Sequence, residues 1–389
     1  MIADAGSSFT SADRRALTAV AAQFFINGAV VASFIPRLPE LRDRLGIDLG
    51  DLGVLLAGAG LFGIASSATC GPLIERFGSR RVILAGGTVL VAMLPIIGVA
   101  THPAVLFLAL AGLSFFDVQV DVAMNLQGSW LSARRPTPVM NRLHGLWSLG
   151  TVVGGLVVAP LAAQGVSLEV HLSSAAVVLL LVLFFVGRGL LRVDEHVEVA
   201  EASSSGPLRS RRLPLVLLFL GGVCALTVEI SSSDWAAFRL ADDFGAAAGF
   251  AGLGYVAHTV GMTIGRFGGD WVQDRLGGDG LLRLGLALAT LGLAGTALVP
   301  NRTVVLAALV VAGLGIAPLF PRLYDDAAQL AARPGAGLGA LTAGSRVASI
   351  AAPALVGALA DTSLSVGSAL ALVTLPSIAG MAVVTAARR

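Results

Sequence analysis

The sequence predicts an all-α membrane protein of twelve transmembrane helices in two six-helix bundles, with both termini cytoplasmic. Three observations carry this. Apolar stretches recur along nearly the whole chain, each about the ~20 residues a helix needs to cross the hydrocarbon core. Charged residues make up only 13% of the 389 and hydrophobic ones 56%, against about 25% charged in a soluble domain. Arginine is concentrated in alternate loops. Closed β-barrels also span membranes, but their strands alternate apolar and polar residues and these stretches do not.

Twelve spans follow from hydropathy: 16–34, 52–74, 82–100, 104–127, 141–163, 172–191, 213–236, 250–271, 280–298, 304–323, 337–358 and 366–387. The first holds only Gln23, Asn27 and a few small residues among apolar ones. It is full length and lacks a small-residue cleavage site, so it reads as a helix rather than a cleavable leader. The 82–100 and 172–191 stretches contain almost no charge. An even number of spans puts both termini on one side, and arginine decides which. All 26 basic residues are arginine. Twenty fall at the termini or in loops after even-numbered spans, among them Arg14, Arg76, Arg80, Arg134, Arg209, Arg211, Arg266, Arg275, Arg322, Arg333, Arg388 and Arg389. Five (Arg37, Arg42, Arg44, Arg239 and Arg302) fall in the opposite loops, and Arg346 lies inside the eleventh span. That bias makes the termini cytoplasmic. The arginine-only, Ala- and Gly-rich composition suggests a bacterial source, hence an inner-membrane location. Cys70 and Cys224 both lie in apolar runs, so no disulfide framework is indicated.

The longest polar interruption, 192–212, contains Asp194, Glu195, Glu198, Glu201, the run Ser203–Ser204–Ser205–Gly206–Pro207, and Arg209, Arg211 and Arg212. It reads as a solvated linker dividing an N-terminal bundle, 1–191, from a C-terminal bundle, 213–389. The halves repeat. Glu75-Arg76-Phe77-Gly78 after the second span matches Asp274-Arg275-Leu276-Gly277 after the eighth, at an offset of 199 residues. Parallel repeats about an axis normal to the membrane are one transporter architecture.

The first copy, Gly71-Pro72-Leu73-Ile74-Glu75-Arg76-Phe77-Gly78-Ser79-Arg80-Arg81, resembles the signature loop of the major facilitator superfamily. Glycine allows close helix approach, the carboxylate caps a neighbouring helix N-terminus, and the arginines hold the loop at the anionic face. The resemblance implies a gating latch formed by Gly71, Glu75, Arg76, Gly78 and Arg80, repeated at Asp274, Arg275 and Gly277; a plain positive-inside anchor is the alternative. Glu75 stands where Asp is usual, and Ser79 where a basic residue is usual. Asp121-Val122-Ala123-Met124-Asn125-Leu126-Gln127 and Met140-Asn141-Arg142-Leu143-His144-Gly145-Leu146-Trp147-Ser148-Leu149-Gly150 are similar to the bacterial branch grouped with fucose permease and rhizopine-associated transporters. Spans 1, 4, 7 and 10 line the cavity in that family.

Ionisable groups inside a membrane are costly and usually face a cavity or a partner. Asp117, Asp121 and Asn125 are spaced four apart, on one helix face. Like-charge repulsion in low dielectric suits the two carboxylates to proton exchange. The resemblance implies proton coupling at Asp121, whereas its first-span acidic partner is replaced here by Gln23, Asn27 and Ser33. Asp117 and Glu229 are the other coupling candidates. The alternative for Asp121 is a structural pairing with Arg134, Arg135 or Arg142. Candidate substrate groups are Gln23, Asn27, Asn125, Tyr255, His258 and Arg346. Arg346 is expected to pair with Asp121, Asp117 or Glu229, or else to bind an anionic substrate. His144 reads as structural, Asp234 as interfacial and Trp235 as an aromatic-belt residue.

No Walker lysine exists in a lysine-free chain, which excludes an ATP-driven motor in this polypeptide on motif grounds. The membrane glycines serve packing. No nucleophile–base–orienter set or metal cluster appears, so an enzyme, a cofactor and a nucleic-acid partner are not expected. The reading is a monomeric secondary transporter of a small polar, sugar- or cyclitol-like solute by proton-coupled symport. A proton-coupled exporter of a drug or metabolite on the same fold is the alternative.

Overall fold

The computed structural model describes residues 9–135, 137, 139–192, 212–328 and 334–387, and no strand occurs among them. The helices are α1 (Ser11–Phe34), α2 (Leu38–Leu45), α3 (Leu49–Phe77), α4 (Ser79–Gly98), α5 (Pro103–Ala133), α6 (Met140–Ala163), α7 (Leu168–Gly187), α8 (Arg212–Asp234), α9 (Ala236–Phe244), α10 (Ala248–Leu298), α11 (Arg302–Ile316), α12 (Leu319–Ala328), α13 (Pro334–Ala360) and α14 (Val366–Ala386). Side-chain caps start several of them. Thr10 and Asp13 form a reciprocal capping box on α1, Asp48 caps α3 and Asn301 caps α11. Each satisfies backbone N–H groups the first turn leaves unpaired.

Eleven segments are long and apolar enough to cross a membrane. One of them, α10, has 51 residues, which at ~1.5 Å per residue is about 77 Å, more than twice a hydrocarbon core of ~30 Å. Its backbone leaves helical geometry at Gly277 (φ 71°, ψ 166°). The segment therefore crosses twice, which makes twelve crossings, six before residue 192 and six after 212. Two boundaries differ from expectation. The fourth span runs on to Ala133, where Gln127 ties α5 to Ser79 (2.8 Å) and to the backbone of Leu191. The tenth splits into α11 and α12 around Pro318, which has no N–H to continue the ladder. The 192–212 linker, except for its end residues, and Arg209, Arg211, Arg333, Arg388 and Arg389 lie outside the described residues.

The repeat is visible in the backbone. Gly46 and Gly245 (φ 62° and 60°) and Gly78 and Gly277 (φ 80° and 71°) all take positive φ. Both pairs are separated by 199 residues, since 245 − 46 = 277 − 78 = 199. Glycine takes this conformation without the steric penalty of a Cβ, so the same two corners are cut in each half. The Glu75 and Asp274 loops lie six crossings apart, and therefore on one face of the membrane.

At that loop face the halves stand apart, and at the opposite face they close. The seal has two seams, α3 against α13 and α6 against α10. A Cβ on Gly53 would stand 2.6 Å from the Pro353 carbonyl oxygen, and one on Gly357 would stand 2.5 Å from that of Leu49, so backbone meets backbone there. On the rim, Arg42 donates to Asp242 across the halves (2.9 Å) and stacks on Phe238. The apolar core of the first half continues through Trp235, Phe238 and Tyr255 into the second. Trp235 is only 1% exposed. It plugs the seal and is not an aromatic-belt residue, because closure of the seams buries the end of α8. Large apolar side chains such as Phe185 and Leu291 project outward from the bundles, as a lipid-facing surface requires.

Candidate substrate cavity between the bundles

A cavity of about 850 Å³ opens at the loop face and reaches mid-depth. Its wall includes His144 of α6, Glu229 of α8, Arg266 and Asp270 of α10, Tyr324 of α12 and Ser345 of α13. Arg266 is the main correction to the arginine count. It is not a loop residue, since it lies inside α10 with 22% of its side chain exposed, facing Glu229 (3.4 Å). The positional signal was available, because Arg266 follows Tyr255, His258, Thr259 and Met262 at three-to-four spacing.

Hydrogen bonds run from one half to the other through this site. Asn27 Nδ2 donates to Asp117 (2.8 Å). Trp147 Nε1 donates to Asn27 Oδ1 (2.7 Å). The Arg266 guanidinium lies 5.7 Å from the Trp147 ring centroid and donates to Ser148 Oγ (2.6 Å). Five helices (α5, α1, α6, α10 and α8) thus connect Asp117 to Glu229. Trp147, Ser148 and Tyr324 were not among the expected site residues. Tyr324 lies within electrostatic reach of Asp121, Arg346 and Glu229, facing both halves.

The expected residues divide. Asp121 is exposed and accepts from Asn125 Nδ2 (3.0 Å). It does not pair with Arg134, whose guanidinium binds Asp13. Asp117 and Asp121 are both coupled electrostatically to Arg346. The expected ion pair of Arg346 is not formed among the described residues. Glu229 is taken by Arg266, and Asp117 and Asp121 accept from asparagines. Arg346 instead donates to Ser67 Oγ across the first seam (3.2 Å). Asn27 is spent inside the network. Gln23, Tyr255 and His258 are buried. They do not line this cavity: Gln23 lies on α1 inside the first half, and Tyr255 packs against Gly155 of the α6–α10 seam. Among the described residues, both His258 nitrogens and Gln23 Oε1 are buried without a hydrogen-bond partner.

The signature loops are unlatched. Glu75 and Asp274 are exposed and make no hydrogen bond or ion pair among the described residues. Nothing lies within 4 Å of a Cβ on Gly71. Arg76 rests on Phe77 (5.2 Å), Arg275 on Trp271 (3.5 Å), and Arg80 donates to the Gly187 carbonyl (3.1 Å), each within its own half. The expected cap on a neighbouring helix is missing because the halves are apart at this face. Among the described residues no group of three or more His, Cys, Asp or Glu is placed to hold a metal ion.

Two parallel helical bundles, sealed at one face and enclosing a charged cavity open to the other, define a multi-pass secondary transporter of small molecules rather than an enzyme. A family model described as Major Facilitator Superfamily matches residues 20–353, and the chain belongs to that superfamily. It is 28% identical over 363 residues to an uncharacterized MFS-type transporter of Yersinia pestis, covering 92% of this chain and 93% of that one. It is 29% identical over 322 residues to the membrane protein MosC of Rhizobium meliloti, covering 81% and 76%. Its fold is similar to that of the nucleoside transporter NupG (TM-score 0.70, 12% identity, covering 97% and 98%). It is also similar to that of the E. coli fucose:proton symporter FucP (TM-score 0.65, 15% identity, 96% and 98%).

Proposed function

We propose that the protein carries a small polar, sugar- or cyclitol-like solute together with protons across the bacterial inner membrane, as a monomer with cytoplasmic termini. On that orientation the cavity opens to the cytoplasm. The observation that supports the reading is that both halves keep carboxylates at membrane depth, Glu229 of the second half standing on the cavity wall. Asp117 and Asp121 stand on α5 and Glu229 on α8, with Tyr324 in electrostatic reach of Asp121 and Glu229. Ionisable groups are retained at membrane depth where they serve a solute or proton path. FucP, whose fold is similar, is a fucose:proton symporter by description. Asp121 is the coupling residue in this reading, since it is exposed and, among the described residues, its carboxylate is bound only to Asn125 of its own helix. Asp121→Asn is expected to abolish proton-driven accumulation in proteoliposomes while counterflow exchange continues. Unchanged accumulation with an unchanged pH profile would sink the assignment.

A further inference from the structure

The proposed reading names a sugar- or cyclitol-like solute but not the side chains that would recognise it. The Arg266–Glu229 pair supplies them. Two features set this pair apart from a structural salt bridge. Its separation is 3.4 Å, longer than the ~2.7–2.9 Å of a closed charge-assisted bond. It is also under-used. Arg266 donates once to Glu229 and once to Ser148, out of five guanidinium donors. Only one oxygen of Glu229 has a partner among the described residues. Both side chains line the cavity and stay about one-fifth exposed (22% and 20%).

We propose that Arg266 and Glu229 together form a recognition site for a vicinal diol on a neutral polyhydroxylated ring, with Trp147 beside it; this rests on the transport reading above. The chemistry is complementary. The free carboxylate oxygen accepts hydroxyl protons, while the unspent guanidinium N–H groups donate to hydroxyl oxygens held in the same plane. The paired charges cancel, so an added anion or cation meets a partner already neutralised and pays desolvation for little return. A neutral diol exchanges water hydrogen bonds for charge-assisted ones. The Trp147 indole, fixed by its bond to Asn27, stands with its ring centroid 5.7 Å from the guanidinium and helps hold the fork in place. Arg rather than Lys is required, because only the planar fork presents two donors in register.

The test uses the full chain in lipid nanodiscs, with myo-inositol as the neutral probe and glucuronate and choline as charged ones. Calorimetry is expected to show myo-inositol binding at least about tenfold tighter than either charged probe. Arg266→Lys keeps the charge that compensates Glu229, so the fold is not the variable; it is expected to weaken myo-inositol binding about tenfold or more. Glu229→Gln is expected to do the same. Equal or tighter binding of a charged probe, no response to any probe, or unaltered binding in Arg266→Lys each overturns the diol site. Counterflow in proteoliposomes separates the two ideas. Flux of myo-inositol with KM unchanged in both variants keeps the transporter and discards the site. The expected binding pattern without flux keeps the site and discards the transporter.

Discussion

The two seams that join the halves solve the same problem differently. Each carries one arginine of the second half bonded to one serine of the first, Arg346 to Ser67 between α13 and α3, and Arg266 to Ser148 between α10 and α6. They differ in where the charge is answered. Arg266 has its carboxylate, Glu229, in its own half. Arg346 has none within ion-pair distance among the described residues, and the carboxylates that feel it, Asp117 and Asp121, belong to the other half. Parting the α6–α10 seam therefore leaves its charge pair intact. Parting the α3–α13 seam pulls a cation away from two anions in a medium that solvates charge poorly. The first seam is electrostatically tied to the carboxylates proposed for coupling, whereas the second carries the pair proposed to read the solute.

The largest effect that would sharpen this contrast is steric. Gly53→Val places a branched side chain where a Cβ already lies 2.6 Å from Pro353 O and 3.1 Å from Gly357 Cα. Overpacking of this kind costs about 1–3 kcal/mol, and here it falls on the sealed state alone. Spin-label distances across the sealed face should show it opened, with transport lost; an unchanged distance distribution would mean that α3 and α13 do not set the seal. Next comes charge. Arg346→Gln should lower proton-driven accumulation about tenfold or more while counterflow changes little, since a charge-assisted contact is worth ~1.5–3 kcal/mol. Arg266→Gln should impair both alike. Identical behaviour of the two variants would erase the distinction between the seams. The smallest effect is at the rim. Arg42→Ala removes the contact to Asp242, whose side chains are 15% and 23% exposed. A pair that accessible contributes about 0.2–1 kcal/mol, so the sealed population should fall only a few-fold, and by less at high salt.

The fold was legible because a bilayer leaves few choices. Long apolar runs must be helices, and the Glu75 and Asp274 loops announced the repeat. The break in α10 was readable as two spans because Gly277 belongs to that repeat. The split at Pro318 was not, since the apolar run continues through it. The site was harder. Asp117, Asp121 and Glu229 were singled out by the cost of burying charge, and Glu229 is the one of them named on the cavity wall. Arg266 was misplaced because it sits near a predicted helix end, where arginine normally marks the loop. Trp147 was present in a quoted motif, but nothing in sequence says that its indole N–H meets Asn27, 120 residues earlier. The pairing of Arg346 failed for the same reason. Candidate partners can be counted in a sequence, but which of them is already engaged depends on packing between helices.

The matched glycine corners impose a rule on chain length. From Gly46 to Gly78 and from Gly245 to Gly277 the count is the same, since 78 − 46 = 277 − 245 = 32. Each stretch is a single helix clamped at both ends by a corner that only glycine takes easily. One inserted residue would turn everything beyond it by about 100°, swinging Gly53 out of the first seam or Arg266 out of the cavity. These two stretches are rulers. Tags or inserted domains belong elsewhere in the chain, because here a gain of one residue changes which side chains face the other half.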